Sequence, residues 1–88
     1  MMHAIDTLAR LVSEAKEDPS WELRLTPKTN LIEEVGLDSL QLIQFMLKVE
    51  EQFKVQMDFE RFDYEHLQSV RAFLGFLQAL GAEVGLHA

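Results

Sequence analysis

Few residues in this chain could do chemistry, and spacing alone sets most of them aside. His3, His66 and His87 lie far apart, two of them near the termini, without the spacing of metal ligands. Glu33 and Glu34, like Glu50 and Glu51, are sequence neighbours. Neighbours on a helix point about 100° apart, so neither pair forms a carboxylate dyad. There is no cysteine, which excludes disulfides, thiolate catalysis and cysteine-ligated zinc. No glycine-rich phosphate loop and no Ser-His-Asp arrangement is visible. What remains is the run Glu34-Val35-Gly36-Leu37-Asp38-Ser39-Leu40, where a long loop turns at a glycine and enters the clearest helical segment of the chain. Ser39 could itself be the N-cap, its oxygen accepting a backbone N–H. A second assignment accounts for more residues: with Asp38 as N-cap, Gln41 falls at N3 and can reach back to the Asp38 N–H as a capping box. Ser39 is then the first helical residue, with its hydroxyl left over and projecting outward. A helix N-terminus also favours phosphate through its dipole and free N–H groups, so the site is suited to carrying a phosphodiester.

Four helices must position that junction. The first spans residues 2–16, with Ile5, Leu8, Val12 and Ala15 on one stripe, and stops near Asp18 because Pro19 disfavours helical geometry before it. The second spans residues 39–53; Leu42, Met46, Val49 and Phe53 form a core stripe, widened by Ile43 and Leu47, with Gln41, Gln44, Lys48, Glu51 and Gln52 over much of the rest. A short third turn is expected over residues 59–65. The fourth follows the N-cap Ser69, turns Val70, Phe73, Leu74 and Leu77 inward and ends at Gly81. Residues 17–37 form a loop too long to be idle. Trp21, Leu23, Leu25, Leu31 and Val35 give it side chains to bury, Pro27 stiffens it, Asn30 with Glu33 can cap one turn, and Gly36 can take positive φ. Residues 22–26 alternate, but nothing else pairs with them as a strand. The expected fold is all-α, one domain over residues 1–81, with residues 82–88 as a frayed tail.

Gly36-Leu37-Asp38-Ser39-Leu40, followed by a helix ending in Val49-Glu50-Glu51-Gln52-Phe53, resembles the phosphopantetheine attachment region of acyl and peptidyl carrier proteins. The likeness is strongest over residues 31–53, where an upstream L-x-E-x-x-G-L run, the amphipathic helix and the acidic middle surround a tripeptide that alone would say little. It extends through the order of elements: a long helix, a long loop, the motif helix, a short third helix and a closing fourth. The resemblance implies the four-helix bundle of that family and a covalent 4′-phosphopantetheine on Ser39, with Asp38 as recognition neighbour. It implies that Leu40, Ile43 and Met46 flank the arm and offer apolar contact to partners, although the same spacing is that of ordinary core packing. Glu50 and Glu51 would belong to an acidic face read by basic patches on partner enzymes, or would simply be a solvated helix end.

Departures from the family pattern bear on the subtype. Gln41 and Gln44 stand where fatty-acid-synthesis carriers often place acids. The segment from Phe53 to Ser69 is longer than theirs and lacks the proline commonly found after the motif helix. It is more similar to D-alanyl and related aminoacyl carriers, which favours an amino acid or short acyl cargo. Val35 replaces the leucine more usual before the glycine.

Charge and size agree with such a role. The 88 residues carry a formal net charge of −7, and residues 31–65 hold nine acids against Lys48, Lys54 and Arg61, so six of the seven negative units lie around and after Ser39. An acidic chain without clustered Lys/Arg is a poor binder of nucleic acid or of an anionic membrane surface. No targeting signal or membrane span is visible, and the expectation is a cytoplasmic monomer. The functional expectation is a stand-alone, non-catalytic carrier holding its cargo as a thioester on the arm. It would serve fatty acid, polyketide or nonribosomal peptide biosynthesis. Its partners would be a phosphopantetheinyl transferase using coenzyme A and magnesium, an adenylating or acyl-transferring loading enzyme, and downstream biosynthetic enzymes. The alternative is a small acidic helical interaction module without a prosthetic group.

Overall fold

The computed structural model describes residues 4–58 and 60–81. They form α1 (Ala4–Lys16), the single turn α2 (Trp21–Arg24), α3 (Ser39–Phe53), a 3₁₀ helix (Tyr64–Leu67) and α4 (Val70–Ala79), with no strand among the described residues. The all-helical expectation holds, and the motif helix α3 has the predicted bounds. Residues 2 and 3 of the first predicted helix, and the predicted tail 82–88, lie outside the described residues.

Each helix ends for a local reason. At the end of α1, Glu17 takes φ 54°, and Asp18 N–H reaches back to the Ser13 carbonyl at 3.0 Å. This is a Schellman closure with a charged residue where glycine is usual. Helix α3 ends the same way: Lys54 takes φ 56° and Val55 N–H donates to the Glu50 carbonyl at 3.2 Å. Helix α4 starts as expected, with the Ser69 hydroxyl accepting from Ala72 N–H at 3.0 Å, and Gly81 follows it at φ 104°.

The core lies where α1, α3 and α4 meet. Leu8 and Val12 of α1, Phe45 and Val49 of α3, and Val70, Phe73 and Leu77 of α4 are completely buried, and the Phe45 and Phe73 rings lie 5.6 Å apart. Arg10 donates to Gln52 (2.9 Å), and Glu14 pairs with Lys48 (2.8 Å). Rising numbers on one helix meet falling numbers on the other, so α1 and α3 run antiparallel. Those exposed pairs set register more than stability.

The long loop is ordered because the rest of the chain holds it. Leu31 N–H donates to the Leu67 carbonyl, Val70 N–H to Thr29 and Arg71 N–H to Pro27, each at 2.9 Å. Trp21, Leu31, Val35 and Leu37 are buried in the core. Asn30 caps the 31–35 turn through Ile32 N–H (2.9 Å) and Glu33 N–H (2.7 Å), while Glu34, not Glu33, returns the bond by accepting from Asn30 N–H at 3.0 Å.

Three expectations are corrected. Leu23 is 93% exposed, because residues 22–24 of the alternating stretch coil into α2, which turns Trp21 inward and Leu23 outward. Ile43 and Leu47 do not widen the core stripe: they are 58% and 59% exposed, and Phe45 is the large side chain that α3 buries instead. The short third helix lies at Tyr64–Leu67 rather than 59–65. Asp63 starts it there, its carboxylate accepting from Glu65 N–H (2.6 Å) while the His66 ring nitrogen Nδ1 accepts from Asp63 N–H (3.0 Å). Phe59 is outside the described residues.

Candidate functional site

The site is the entrance to α3. Gly36 takes φ 74°, a conformation that side-chain-bearing residues adopt at a cost, and this turns the loop toward the helix. Asp38 is extended (φ −80°, ψ 178°), and its Oδ1 accepts from Gln41 N–H at 2.8 Å. Gln41 Oε1 accepts in return from Asp38 N–H at 3.1 Å. Of the two caps that the sequence allows, the structure has the Asp38 box. Ser39 is therefore the first helical residue, exposed, and no other described residue takes up its hydroxyl in a hydrogen bond.

From Ser39 an apolar strip runs along the outer face of α3. Leu40 is 64% exposed, and Ile43 and Leu47 continue the strip at helical spacing. Met46 is only 4% exposed, so of the three residues expected to flank an arm, Leu40 and Ile43 lie on the surface and Met46 in the core wall. Met46 still reaches a groove of about 270 Å³ between α3 and the following segment, lined by Leu42, Ile43, Met46, Leu47, Glu50 and Phe62. The sequence places Leu47 in the core stripe and does not mark Phe62 as part of the site. Exposed leucine at position 47 reads as core by periodicity, and position 62 lies in a segment without periodicity.

The two glutamates at the far end of α3 differ. Glu51 is exposed, whereas Glu50 is half-buried and its Oε2 accepts from Met57 N–H at 2.7 Å, knitting the chain after the helix back onto it. Lys16, the last residue of α1, is another participant that the sequence did not mark. Its Nζ donates to the Gly36 carbonyl (3.0 Å) and to Gln41 Oε1 (3.3 Å). Among the described residues no three His, Cys, Asp or Glu side chains come close enough to hold a metal ion. No described helix is long and apolar enough to cross a membrane.

An exposed hydroxyl at a helix N-terminus, released from capping by the preceding aspartate, has the chemistry of an attachment point for a phosphodiester-linked group. Anionic oxygens there meet free N–H groups and the positive end of the helix dipole. The sequence model of the family described as the phosphopantetheine attachment site matches residues 6–77, from α1 into α4. Domains of this family are in general carriers rather than catalysts, and they meet modifying and biosynthetic enzymes. The chain belongs to the phosphopantetheine attachment site family of acyl and peptidyl carrier proteins, whose covalent cofactor is 4′-phosphopantetheine.

Proposed function

We propose that this chain is an acyl or aminoacyl carrier whose attachment residue is Ser39. The observation that supports this most directly is the division of labour at the α3 entrance: Asp38 serves the cap, and Ser39 is left exposed with a free hydroxyl. The bound group supplies the thiol on which cargo is held as a thioester, which fits a chain with no cysteine of its own. The protein's part is to hold the serine still and to offer surfaces beside it. The helix N-terminus stabilises the phosphodiester charge. Leu40, Ile43 and Leu47 give partners an apolar contact next to the attachment point, and the acidic residues between 31 and 65 favour partners with basic patches. Complexes of this kind are weak and exchange fast, since each enzyme must release the carrier before the next can bind.

The cargo is an amino acid or a short acyl group, and the loading enzyme adenylates or transfers it. The support is in the sequence: Gln41 and Gln44 in place of acids, and the long segment from Phe53 to Ser69. The absence of cysteine suits the reducing cytoplasm, where coenzyme A and such enzymes are found. The test is intact mass after incubation with coenzyme A, magnesium and a promiscuous phosphopantetheinyl transferase. One added phosphopantetheine, abolished by Ser39→Ala, is the expected result. An unchanged wild-type mass would overturn the proposal in favour of an acidic interaction module without a prosthetic group. Mass spectrometry of the carrier from its native cell would identify the cargo.

A further inference from the structure

We propose that Lys16 is a positioning residue for the modification of Ser39, a clamp that holds the two sides of the Asp38–Ser39 step in register. This rests on Ser39 being the attachment residue. Lys16 ends α1, where a cation is favoured by the negative end of the helix dipole. Its ammonium donates to the Gly36 carbonyl at 3.0 Å, two residues before Asp38, and to Gln41 Oε1 at 3.3 Å, two residues after Ser39. One side chain of α1 thus bonds both sides of this junction.

The second of these bonds does more than tether. Gln41 Oε1 is also the acceptor for Asp38 N–H at 3.1 Å. A lysine ammonium and a backbone N–H can only donate, so both demand the oxygen end of the Gln41 amide on the same side. Lys16 thereby selects the amide orientation that closes the capping box, and the box is what leaves the Ser39 hydroxyl free. The Gly36 carbonyl anchors the other side, at the residue whose φ of 74° sets the loop's entry angle. A nucleophilic hydroxyl must be placed within a fraction of an ångström to react well, so loosening this junction lowers the rate of transfer rather than the affinity for the transferase.

Lys16→Met keeps the aliphatic stem and removes both bonds, and Lys16→Arg restores donors that can span two oxygens. Two readouts are paired: kcat and KM for phosphopantetheine transfer to the carrier, and amide hydrogen exchange at Asp38 and Gln41. Lys16→Met should lower kcat about three- to tenfold with KM little changed, and speed exchange of both amides by a similar factor. Lys16→Arg should return both to within about twofold of the wild type. Unchanged exchange in Lys16→Met overturns the clamp, whatever the transfer rate does. Faster exchange with an unchanged kcat, or a loss confined to KM, overturns the positioning role. If wild-type protein accepts no phosphopantetheine, Ser39 as attachment residue fails, and amide exchange still decides whether the clamp exists.

Discussion

Asp38 can be tested for cap and for recognition in one pair of variants. Asp38→Ala removes the acceptor of the 2.8 Å bond from Gln41 N–H and the negative charge at the start of α3. The reciprocal bond, from Asp38 N–H to Gln41 Oε1, is donated by backbone and survives the change. Loss of an aspartate N-cap to alanine costs about 1 kcal/mol, and the lost charge at an exposed helix N-terminus adds ~0.3–1 kcal/mol. In a domain of this size each kcal/mol moves the midpoint by about 4–8 °C, so the variant should melt roughly 5–15 °C below the wild type. Asp38→Asn keeps an equally good cap and loses only the charge, and should fall by less than half as much. Thermal melts followed by far-UV circular dichroism measure this, and the rate of phosphopantetheine addition is measured beside them. If Asp38 acts only as a cap, Asn restores melting and modification together. If the transferase reads its charge, Asn restores melting alone. Unchanged modification with normal rate in Asp38→Ala, together with a wild-type midpoint, would refute the cap and the freedom of Ser39 that follows from it.

Other consequences follow from the same contacts. Glu50→Ala should destabilise by about 1 kcal/mol through loss of the acceptor for Met57 N–H, whereas Glu51→Ala should leave melting unchanged. If the acidic face is read by the loading enzyme, Glu51→Lys should slow loading without that penalty; an unchanged loading rate would reduce its charge to solvation. Phe45→Ala should cost about 3–5 kcal/mol, enough to threaten folding, while Leu23→Ser, on a side chain that is 93% exposed, should stay within ~0.5 kcal/mol; urea titrations compare them. The hydrogen bond from Lys48 holds the Glu14 carboxyl below its ordinary 4.5, and the Ser20 hydroxyl and N–H hold Asp18 below its ordinary 3.8. A depressed carboxylate contributes stability above its unfolded pKa and loses it as pH falls through the folded value. The wild-type advantage over Lys48→Met should therefore be full at neutral pH, begin to fall near pH 4.5 and be lost only as pH drops through the lowered folded value, and melts of both proteins from neutral to strongly acid pH decide it; because the pair is exposed, the advantage is small.

The parts of this protein that were legible in its sequence are those that depend on residues a few positions apart. The bounds of α3, the Asp38–Gln41 box as one of two possible caps, the Ser69 cap and the positive φ of Gly36 all come from interactions within one turn. The shift of the third helix to Tyr64–Leu67 is local too, but a histidine ring completing a capping box is not a pattern that periodicity exposes.

What only the tertiary structure decided is which way each amphipathic surface turns. An apolar stripe leaves its rotation open by about one residue, or roughly 100°, on either side. The meeting of Phe45 with Phe73 chose the rotation of α3 that buries position 45 and leaves Ile43 and Leu47 bare beside Leu40. The same is true of Leu23, which surfaced once Trp21 had taken the inward place. The Lys16 contacts span 20 and 25 residues, distances over which no local propensity acts. The sequence by itself therefore determined that a serine would stand at the head of a helix. The lysine brought from α1 to the Asp38–Gln41 box and the bare apolar strip beside it came from packing, because packing joins residues that the chain keeps apart.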